Sequence, residues 1–308
     1  MTKKPWFRIG LSVLLLGAAL YFLRRELSRV SVAEIWAHLR SIPATRLGLM
    51  LALGVANYLQ LTRYDVLALR YLGHQLPYAR VAFVSFIASA FARNIGPSVA
   101  SGGSIRYRFY SAWGLSAAEI ATLIAFMSLT FFVGFSAVAG ICFALGAGAM
   151  TDRLPVPGVG LRVIGAVLLA LLVGYFLMCA RQPTIIIRGR QFSPPSLRIA
   201  LGQALTSGLD WLAMAGMLTL LLPPGTVSYV EVLAAVLVAQ VAGVWSQVPG
   251  GLGVFEAIVV AALSPRIPAS AVLSSVLLYR CLYFFLPLGV ASLLLVGSET
   301  GQLRAKGR

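Results

Sequence analysis

Four charged residues lie within or beside long apolar segments of this 308-residue sequence: Arg106, Asp210, Glu256 and Arg280. A charge at the centre of a membrane span costs about 3 kcal/mol or more unless it is paired or hydrated, so such residues point to a functional site. Arginine suits a phosphate ligand, because its planar guanidinium donates two parallel hydrogen bonds and stays ionised. We therefore predict that Arg106 and Glu256 lie in one polar cavity and that Arg106 binds phosphate.

An ion pair is the alternative role for these charges. Arg106 would then pair with Glu256 or Asp210 and serve the structure alone, since a buried charge needs a partner. The two roles are compatible if a ligand phosphate competes with the carboxylate for the arginine.

Uncharged polar residues near these charges complete the candidate substrate-binding set. Asn94 and Gln247 lead into two segments rich in glycine and proline, and Tyr110 follows Arg106 by four residues. For Tyr110, a place in the interfacial aromatic belt is the alternative. Arg93 and Arg108 lie at the ends of their segments and are predicted to extend toward the membrane surface.

Two apolar connections, residues 94–104 and 247–254, do not fit a regular helix. Proline and clustered glycines disfavour the helical hydrogen-bond ladder. Lipid cannot satisfy the backbone groups that such a break frees, so a broken segment at membrane depth must be enclosed by protein or line a wet cavity. We predict that both segments are non-helical or re-entrant, with the breaks at Pro97, Gly102, Gly103, Pro249, Gly250, Gly251 and Gly253.

Composition places the chain in a membrane. Apolar residues make up 59% of it and charged residues only 11%, whereas soluble domains carry about a quarter charged residues. The 25 Lys and Arg against 9 Asp and Glu suit anionic lipid headgroups, and no basic patch with exposed aromatics predicts nucleic-acid binding. Because no HExxH, GxSxG or Walker-type motif is present, we expect no metal, no cofactor and no catalytic residue.

The apolar runs predict an all-α polytopic membrane protein, a single transmembrane domain over residues 1–308 with about eight transmembrane helices. Most runs approach the ~20 residues that a bilayer requires. The run 117–148 is too long for one upright helix and is expected to tilt, to kink at Gly134 or Gly140, or to extend beyond the membrane. The first run could instead belong to a signal peptide. The eight runs are residues 9–23, 47–62, 79–93, 117–148, 161–180, 199–222, 229–247 and 269–297.

A short amphipathic helix is predicted between the first two spans. Ser31 and Glu34 have the spacing of a capping box, in which each side chain binds an orphan backbone amide. The apolar stripe that includes Trp36 and Leu39 predicts a helix from Ser31 to Ser41 that lies in the membrane interface. A helix packed on the bundle outside the membrane is the alternative. A second capping box, Ser116 to Glu119, opens the long run.

The two broken segments occur in matching contexts. Pro97 follows Tyr78 by 19 residues and Pro249 follows Tyr229 by 20. The two contexts lie about half the chain apart. This separation indicates an internal two-fold repeat with halves at about 44–150 and 197–297, as in transporters with a site at the repeat interface. Chance similarity in a sequence rich in glycine and alanine is the alternative.

Two motifs resemble those of a known family. They are Gly102-Gly103-Ser104-Ile105-Arg106 with Tyr110 four residues on, and Pro249-Gly250-Gly251-Leu252-Gly253-Val254-Phe255-Glu256. The resemblance is to the lysylphosphatidylglycerol synthase transmembrane region, also called the flippase domain and shared with YbhN-like proteins. It covers nearly the whole chain, and it implies that Arg106 and Glu256 are functionally important and that the domain self-associates.

In full-length synthases of that family, the membrane region precedes a soluble transferase domain and is implicated in moving aminoacylated lipid between leaflets. Only 11 residues follow position 297 here, so we expect transport and not transferase activity. We therefore predict an ATP-independent translocase or lipid-binding transporter of a phospholipid or related lipid in the cytoplasmic (inner) membrane. The alternatives are an accessory subunit that presents lipid to an enzyme, and an ion-coupled solute transporter that uses Asp210 and Glu256.

Overall fold

The protein is an α-helical bundle in a computed structural model that describes residues 32–94, 98–146, 158–183, 185–187, 190–246 and 249–306. A two-stranded antiparallel hairpin, β1 (Ile185–Ile187) and β2 (Arg190–Phe192), connects two of the helices. The helices are α1 (Val32–Ser41), α2 (Ala44–Tyr71), α3 (Tyr78–Asn94), α4 (Ser98–Ala112), α5 (Ala117–Gly146), α6 (Gly158–Arg181), α7 (Leu197–Leu221), α8 (Tyr229–Trp245), α9 (Val254–Leu263), α10 (Ala269–Arg280) and α11 (Leu286–Lys306).

The predicted all-α membrane fold is confirmed. Within the described ranges, four stretches are long and apolar enough to cross a bilayer: Ala117–Leu145, Gly158–Arg181, Leu197–Leu221 and Ala269–Ser298. The span expected at 47–62 lies inside the longer α2, which continues past Asp65 because that carboxylate is fully buried and paired within the protein. The expected first span, 9–23, lies outside the described residues.

The runs expected as spans at 79–93 and 229–247 are instead arms of two helical hairpins. In the first hairpin, the rings of Phe83 and Phe109 lie 5.7 Å apart, and a Cβ atom at Gly102 would lie 2.9 Å from the Cβ of Ala92. These pairings show that α4 runs antiparallel to α3. A helix of 17 residues such as α3 is about 25 Å long, less than the ~30 Å hydrocarbon core.

Of the two alternatives predicted for residues 94–104, a non-helical segment is wrong from Ser98 onward, where α4 begins. The re-entrant alternative agrees with the hairpin that α3 and α4 form. Gly102 and Gly103 belong to this helix and let it approach its neighbours. A Cβ atom at Gly102 would lie 2.8 Å from the Ala88 carbonyl oxygen, and one at Gly103 would lie 3.1 Å from Ile124 Cδ1. Close packing therefore offsets the low helix propensity of glycine. Pro97 lies outside the described residues.

The second hairpin pairs α8 with α9, and here the predicted break is confirmed for residues 249–253. Pro249–Gly251 forms a single 3₁₀ turn. Gly250, Gly251 and Gly253 have φ angles of 64°, 62° and 83°, a left-handed conformation that glycine adopts without strain. Gln247 lies outside the described residues.

The ends of the two hairpins meet in the middle of the bundle. A side chain at Gly250 would lie 3.3 Å from the carbonyl oxygen of Asn94, the last residue of α3. The Asn94 Nδ2 donates to the Phe284 carbonyl at 3.2 Å, and Arg280 Nη1 donates to the Gly250 carbonyl at 3.1 Å. Arg280 and Phe284 are central in the span Ala269–Ser298, so both hairpins end at mid-membrane depth.

That span changes its hydrogen-bond pattern at its centre. Cys281–Phe285 is a π-helical turn between α10 and α11, in which the Leu286 N–H donates to the Cys281 carbonyl. Pro287 has no N–H to offer the carbonyl of Tyr283, four residues before it. The Tyr58 hydroxyl of α2 donates to that carbonyl at 3.2 Å instead. Side chains of other helices thus satisfy the backbone groups that lipid could not.

The long run 117–148 forms one helix, α5, which ends at Gly146. Its capping box is confirmed: the Ser116 N–H donates to Glu119 Oε2 at 2.7 Å, and the Glu119 N–H donates to Ser116 Oγ at 3.2 Å. The two glycines that we considered as kink sites are packing positions. Gly134 lies against Ser207 of α7, and Gly140 lies against α6.

The short helix predicted at residues 31–41 is confirmed from Val32 to Ser41. Leu39 packs against the main core, whereas Trp36 is 53% exposed and lies beneath the Arg40 guanidinium, 5.0 Å from it. His38 Nε2 is 3.0 Å from Ser275 Oγ of α10. The helix therefore docks on the bundle, and its place in the membrane interface stays a prediction. The two-fold repeat also stays a prediction.

Acid should loosen α1. Burial lowers the pKa of His38 below its usual 6.5, because the packed site favours the neutral imidazole. The contribution of His38 to stability is fully present above the pKa of this residue in the unfolded chain. It is lost as the pH falls from that pKa to the lower pKa of the folded protein. We expect hydrogen exchange of the α1 amides to accelerate between pH 7 and pH 5, and His38→Gln to remove this pH dependence. Equal acceleration in His38→Gln would contradict the assignment.

Candidate functional site

A cavity of about 450 Å³ lies between the two hairpins and α2, α5, α7 and α10. One part of its wall carries charge, from Arg93, Arg106, Asp210 and Arg280. Another part is apolar and comes mostly from α5. The apolar residues include Ile124, Met127, Phe131, Phe132, Met214 and Phe255. The cavity thus combines a cationic wall with a hydrocarbon wall.

Arg106 of α4 is held by Asp65 of α2. Arg106 Nε donates to Asp65 Oδ1 at 2.8 Å and Nη2 donates to Oδ2 at 2.9 Å, so the contact is bidentate. The Tyr110 hydroxyl, one turn further along α4, donates to the same Oδ1 at 2.9 Å. The prediction that Arg106 pairs with Glu256 or Asp210 is therefore wrong. Asp65 faces the inner side of α4 and forms the ion pair with Arg106 instead.

Arg93 of α3 is held by Asp210 of α7. Arg93 Nη2 donates to both carboxylate oxygens, at 2.9 and 2.8 Å, and the guanidinium lies 5.4 Å from the ring centre of Tyr283. Asn57 Nδ2 donates to Asp210 Oδ1 at 2.8 Å and also to the Tyr283 hydroxyl. The expectation that Arg93 extends to the membrane surface is therefore wrong: its carboxylate partner is inside. Arg108 is likewise buried.

Arg280 of α10 is held by Glu256 of α9. Arg280 Nε contacts Glu256 Oε1 directly, and its guanidinium lies 5.6 Å from the Phe255 ring centre. The Gly253 N–H donates to Glu256 Oε2 at 2.7 Å, which places the carboxylate at the positive N-terminal end of α9. Glu256 thus links the glycine turn of the second hairpin to the cavity arginine.

Two of the three carboxylates, those of Asp65 and Glu256, lie behind the arginines. Asp65 is fully buried and Glu256 nearly so, and neither is among the described residues that line the cavity. A guanidinium has five N–H donors, and the described contacts of Arg106 use only Nε and Nη2. Each arginine is therefore fixed by its carboxylate while further donors remain for a ligand.

The cavity reaches the outer surface of the bundle between α5 and α8. Phe132 and Val244 line it and are also 56% and 49% exposed. Apolar side chains on the outside of a membrane bundle face lipid tails. The cavity mouth is therefore lateral and apolar.

The predicted site residues come together in part. Arg106, Arg280 and Asp210 line the cavity, Glu256 supports Arg280, Tyr110 supports the Arg106 pair, and Asn94 ends the first hairpin arm. Sequence reasoning did not select Asp65 and it misassigned Arg93. A signal for both existed: the chain has only 9 acidic residues, so each acid within an apolar helix needs a basic partner.

Comparison with known proteins identifies the family of this chain. Residues 7–291 match the family described as the lysylphosphatidylglycerol synthase TM region. The chain belongs to this family. The resemblance noted from the two motifs is thereby confirmed, and the chain is a multi-pass membrane protein of the lysylphosphatidylglycerol synthase TM family.

Relatives within this family cover nearly the whole chain. The uncharacterized protein slr0712 of Synechocystis is 37% identical over 301 residues, 95% of this chain and 93% of the relative. The inner membrane protein YbhN of Escherichia coli is 36% identical over 286 residues, 90% of this chain and 88% of YbhN. Phosphatidylglycerol lysyltransferase of Staphylococcus aureus is 25% identical over 277 residues, 88% of this chain but 32% of that protein.

Proposed function

We propose that this protein is an ATP-independent translocase or lipid-binding transporter for a phospholipid of the cytoplasmic (inner) membrane, acting by transport and not by a chemical reaction. The observation that carries the proposal is the central cavity, in which three carboxylate-held arginines face a space with a lateral, apolar mouth.

The arginines fit a phosphate group. Guanidinium groups bind phosphate oxygens through parallel N–H donors. Their carboxylates hold Arg93, Arg106 and Arg280 in place before a ligand arrives, so that binding does not require side chains to be ordered. A phosphate would share each guanidinium with its carboxylate.

The mouth fits lipid tails. A lipid whose phosphate reaches the arginines would extend its acyl chains past Phe132 and Val244 into the bilayer. Translocation then needs a polar path for the headgroup alone, while the tails stay in hydrocarbon. Two relatives support a lipid role in a membrane: one is named for phosphatidylglycerol and another is named an inner membrane protein.

Replacing Arg106 by lysine tests the proposal. The ammonium keeps the charge but loses the bidentate geometry, so we expect about tenfold weaker phospholipid binding and slower headgroup translocation, equivalent to ~1.4 kcal/mol. Binding is measured by native mass spectrometry and translocation by headgroup accessibility in proteoliposomes without ATP.

Arg46→Lys is the matched control. Arg46 also donates through two nitrogens, to the Leu222 and Thr219 carbonyls, but it does not line the cavity. We expect this variant to bind and translocate like the unmodified protein. Lipid binding without translocation would favour the accessory-subunit alternative. Solute uptake without translocation would favour the ion-coupled transporter, and equal losses in both variants would remove Arg106 from the site.

A further inference from the structure

We infer that the cavity takes a phosphodiester whose headgroup carries hydroxyl groups and no ammonium group, and that the Tyr279 hydroxyl binds that headgroup. The inference rests on the proposed function, since it concerns the same cavity. It adds the chemical class of the ligand and a residue that confers specificity.

The charges of the wall disfavour a cationic headgroup. Among the described lining residues, three arginines stand against a single carboxylate, Asp210. Arg93 already donates to both oxygens of that carboxylate, and Asn57 donates to one of them. An ammonium group would therefore meet guanidinium groups and find no unengaged carboxylate on the described wall. Because Asp65 and Glu256 lie behind Arg106 and Arg280, the charges nearest a ligand are guanidinium groups, and an ammonium group placed against them is disfavoured.

The Tyr279 hydroxyl is unpaired within the described part of the chain. Tyr279 lines the cavity and is fully buried, and its hydroxyl has no hydrogen-bond partner among the described residues. Buried hydroxyl groups almost always have a partner, so an unpaired one needs an explanation. A ligand group in the cavity supplies one.

The ring of Tyr279 is firmly positioned. It stacks on Tyr283 with 5.4 Å between centres and 16° between planes, and it makes an edge contact with Phe284. The hydroxyl is therefore preorganised for a ligand. A preorganised group contributes more to affinity than a mobile one.

Other uncharged polar groups belong to the same wall. Ser89, Ser128 and Gln240 line the cavity that the arginines also line. Hydroxyl and amide groups both donate and accept, whereas guanidinium groups only donate. A phosphate needs donors alone, but a hydroxylated headgroup needs partners of both kinds. The wall therefore matches a phosphodiester joined to a polyol better than a bare phosphodiester.

Three lipids with identical acyl chains test the inference on the full-length protein in detergent micelles. Phosphatidylglycerol has an anionic phosphodiester and two headgroup hydroxyls, phosphatidylmethanol has the same charge without hydroxyls, and phosphatidylethanolamine has an ammonium group. We expect phosphatidylglycerol to bind about fivefold more tightly than phosphatidylmethanol, as one neutral hydrogen bond implies, and phosphatidylethanolamine to bind most weakly. Tyr279→Phe should remove the difference between the first two lipids and leave phosphatidylmethanol binding unchanged.

Tyr58→Phe is the control for a structural tyrosine. The Tyr58 hydroxyl is also buried, but it donates to the Tyr283 carbonyl, and Tyr58 is not a lining residue of this cavity. Tyr58→Phe should lower the melting temperature and keep the lipid preference. Tyr279→Phe should not lower the melting temperature of the lipid-free protein, because the variant loses no hydrogen bond among the described residues.

Each outcome separates the inference from the proposed function. Equal binding of phosphatidylethanolamine and phosphatidylglycerol would overturn the charge argument, and an unchanged lipid preference in Tyr279→Phe would overturn the role of its hydroxyl. In both cases the lipid function would stand. If soluble glycerophosphoglycerol binds with the expected Tyr279 dependence and no lipid binds, the ligand class is supported and the lipid function fails. If neither glycerophosphoglycerol nor any of the lipids binds, the inference and the proposed function are both overturned.

Discussion

Asp65→Asn should lower the free energy of unfolding by about 3 to 5 kcal/mol, because it leaves the Arg106 guanidinium buried without its counter-charge. Asparagine keeps the volume of the side chain, so the loss reports the charge and not a cavity. The pair is almost completely buried, with side-chain exposures of 6% and 0%. Chemical unfolding in mixed micelles, followed by tryptophan fluorescence, measures the change.

A double variant separates structure from binding. Asp65→Asn with Arg106→Gln removes both charges and should recover most of the stability, since neither partner is left as an unpaired ion. If Arg106 binds phosphate, this stable double variant should still fail to bind phospholipid. Recovered stability together with undiminished lipid binding would instead make Arg106 a structural partner of Asp65 alone.

Arg266→Gln is the matched control, an ion pair whose arginine is exposed although its carboxylate, Glu231, is buried. Arg266 Nη1 lies 3.0 Å from Glu231, but the arginine side chain is 46% exposed. Solvent screens such a pair, so removing it should change the free energy of unfolding by less than ~1 kcal/mol. A loss as large as that of Asp65→Asn would show that burial is not the cause of the expected difference.

Gly134→Ala should destabilise the protein by about 3 kcal/mol, at the upper end of what overpacking costs. A Cβ atom at Gly134 would lie 2.1 Å from the Cβ of Ser207 and 2.6 Å from its carbonyl carbon. The second contact is with backbone, so α5 and α7 must separate. Because Phe131 and Phe132 of α5 line the cavity, we also expect weaker lipid binding.

Gly174→Ala is the control for a glycine in a membrane helix. Among the described residues, no atom of another element lies within 4 Å of a Cβ atom at Gly174 of α6, so alanine should stabilise the helix by about 0.5 to 1 kcal/mol. Adding Ser207→Gly to Gly134→Ala should recover only part of the loss, because the backbone contact remains. Equal melting temperatures for Gly134→Ala and Gly174→Ala would show that α5 and α7 are not in close contact.

The membrane fold followed directly from the apolar runs, but the use of each glycine did not. Pro249 and the glycines after it were correctly predicted to break the helix, since three of those glycines have positive φ. Gly102 and Gly103 also belong to a glycine-rich segment, but they lie inside α4, where a missing side chain permits close packing. The two uses differ only in which neighbour is nearby, and that neighbour is set by the tertiary structure.

Charged residues in apolar segments identified part of the site. The carboxylate partner of each arginine could not be predicted from the sequence. Arg106, Asp210 and Arg280 line the cavity as their positions indicated. Asp65 was overlooked because Arg63 and Arg70 beside it make the end of α2 resemble a solvated segment. Arg106 and Asp65 are 41 residues apart, and their contact depends on how α2 and α4 are rotated about their axes.

The pairing of each cavity arginine with one carboxylate has an electrical consequence. Arg93, Arg106 and Arg280 with Asp210, Asp65 and Glu256 sum to zero charge. An anionic lipid that entered this neutral group would carry its own negative charge uncompensated through the membrane field. A potential of 100 mV acts on one elementary charge with about 2.3 kcal/mol, roughly a fiftyfold ratio between the leaflets. Membrane voltage would then set the direction of net movement without any nucleotide.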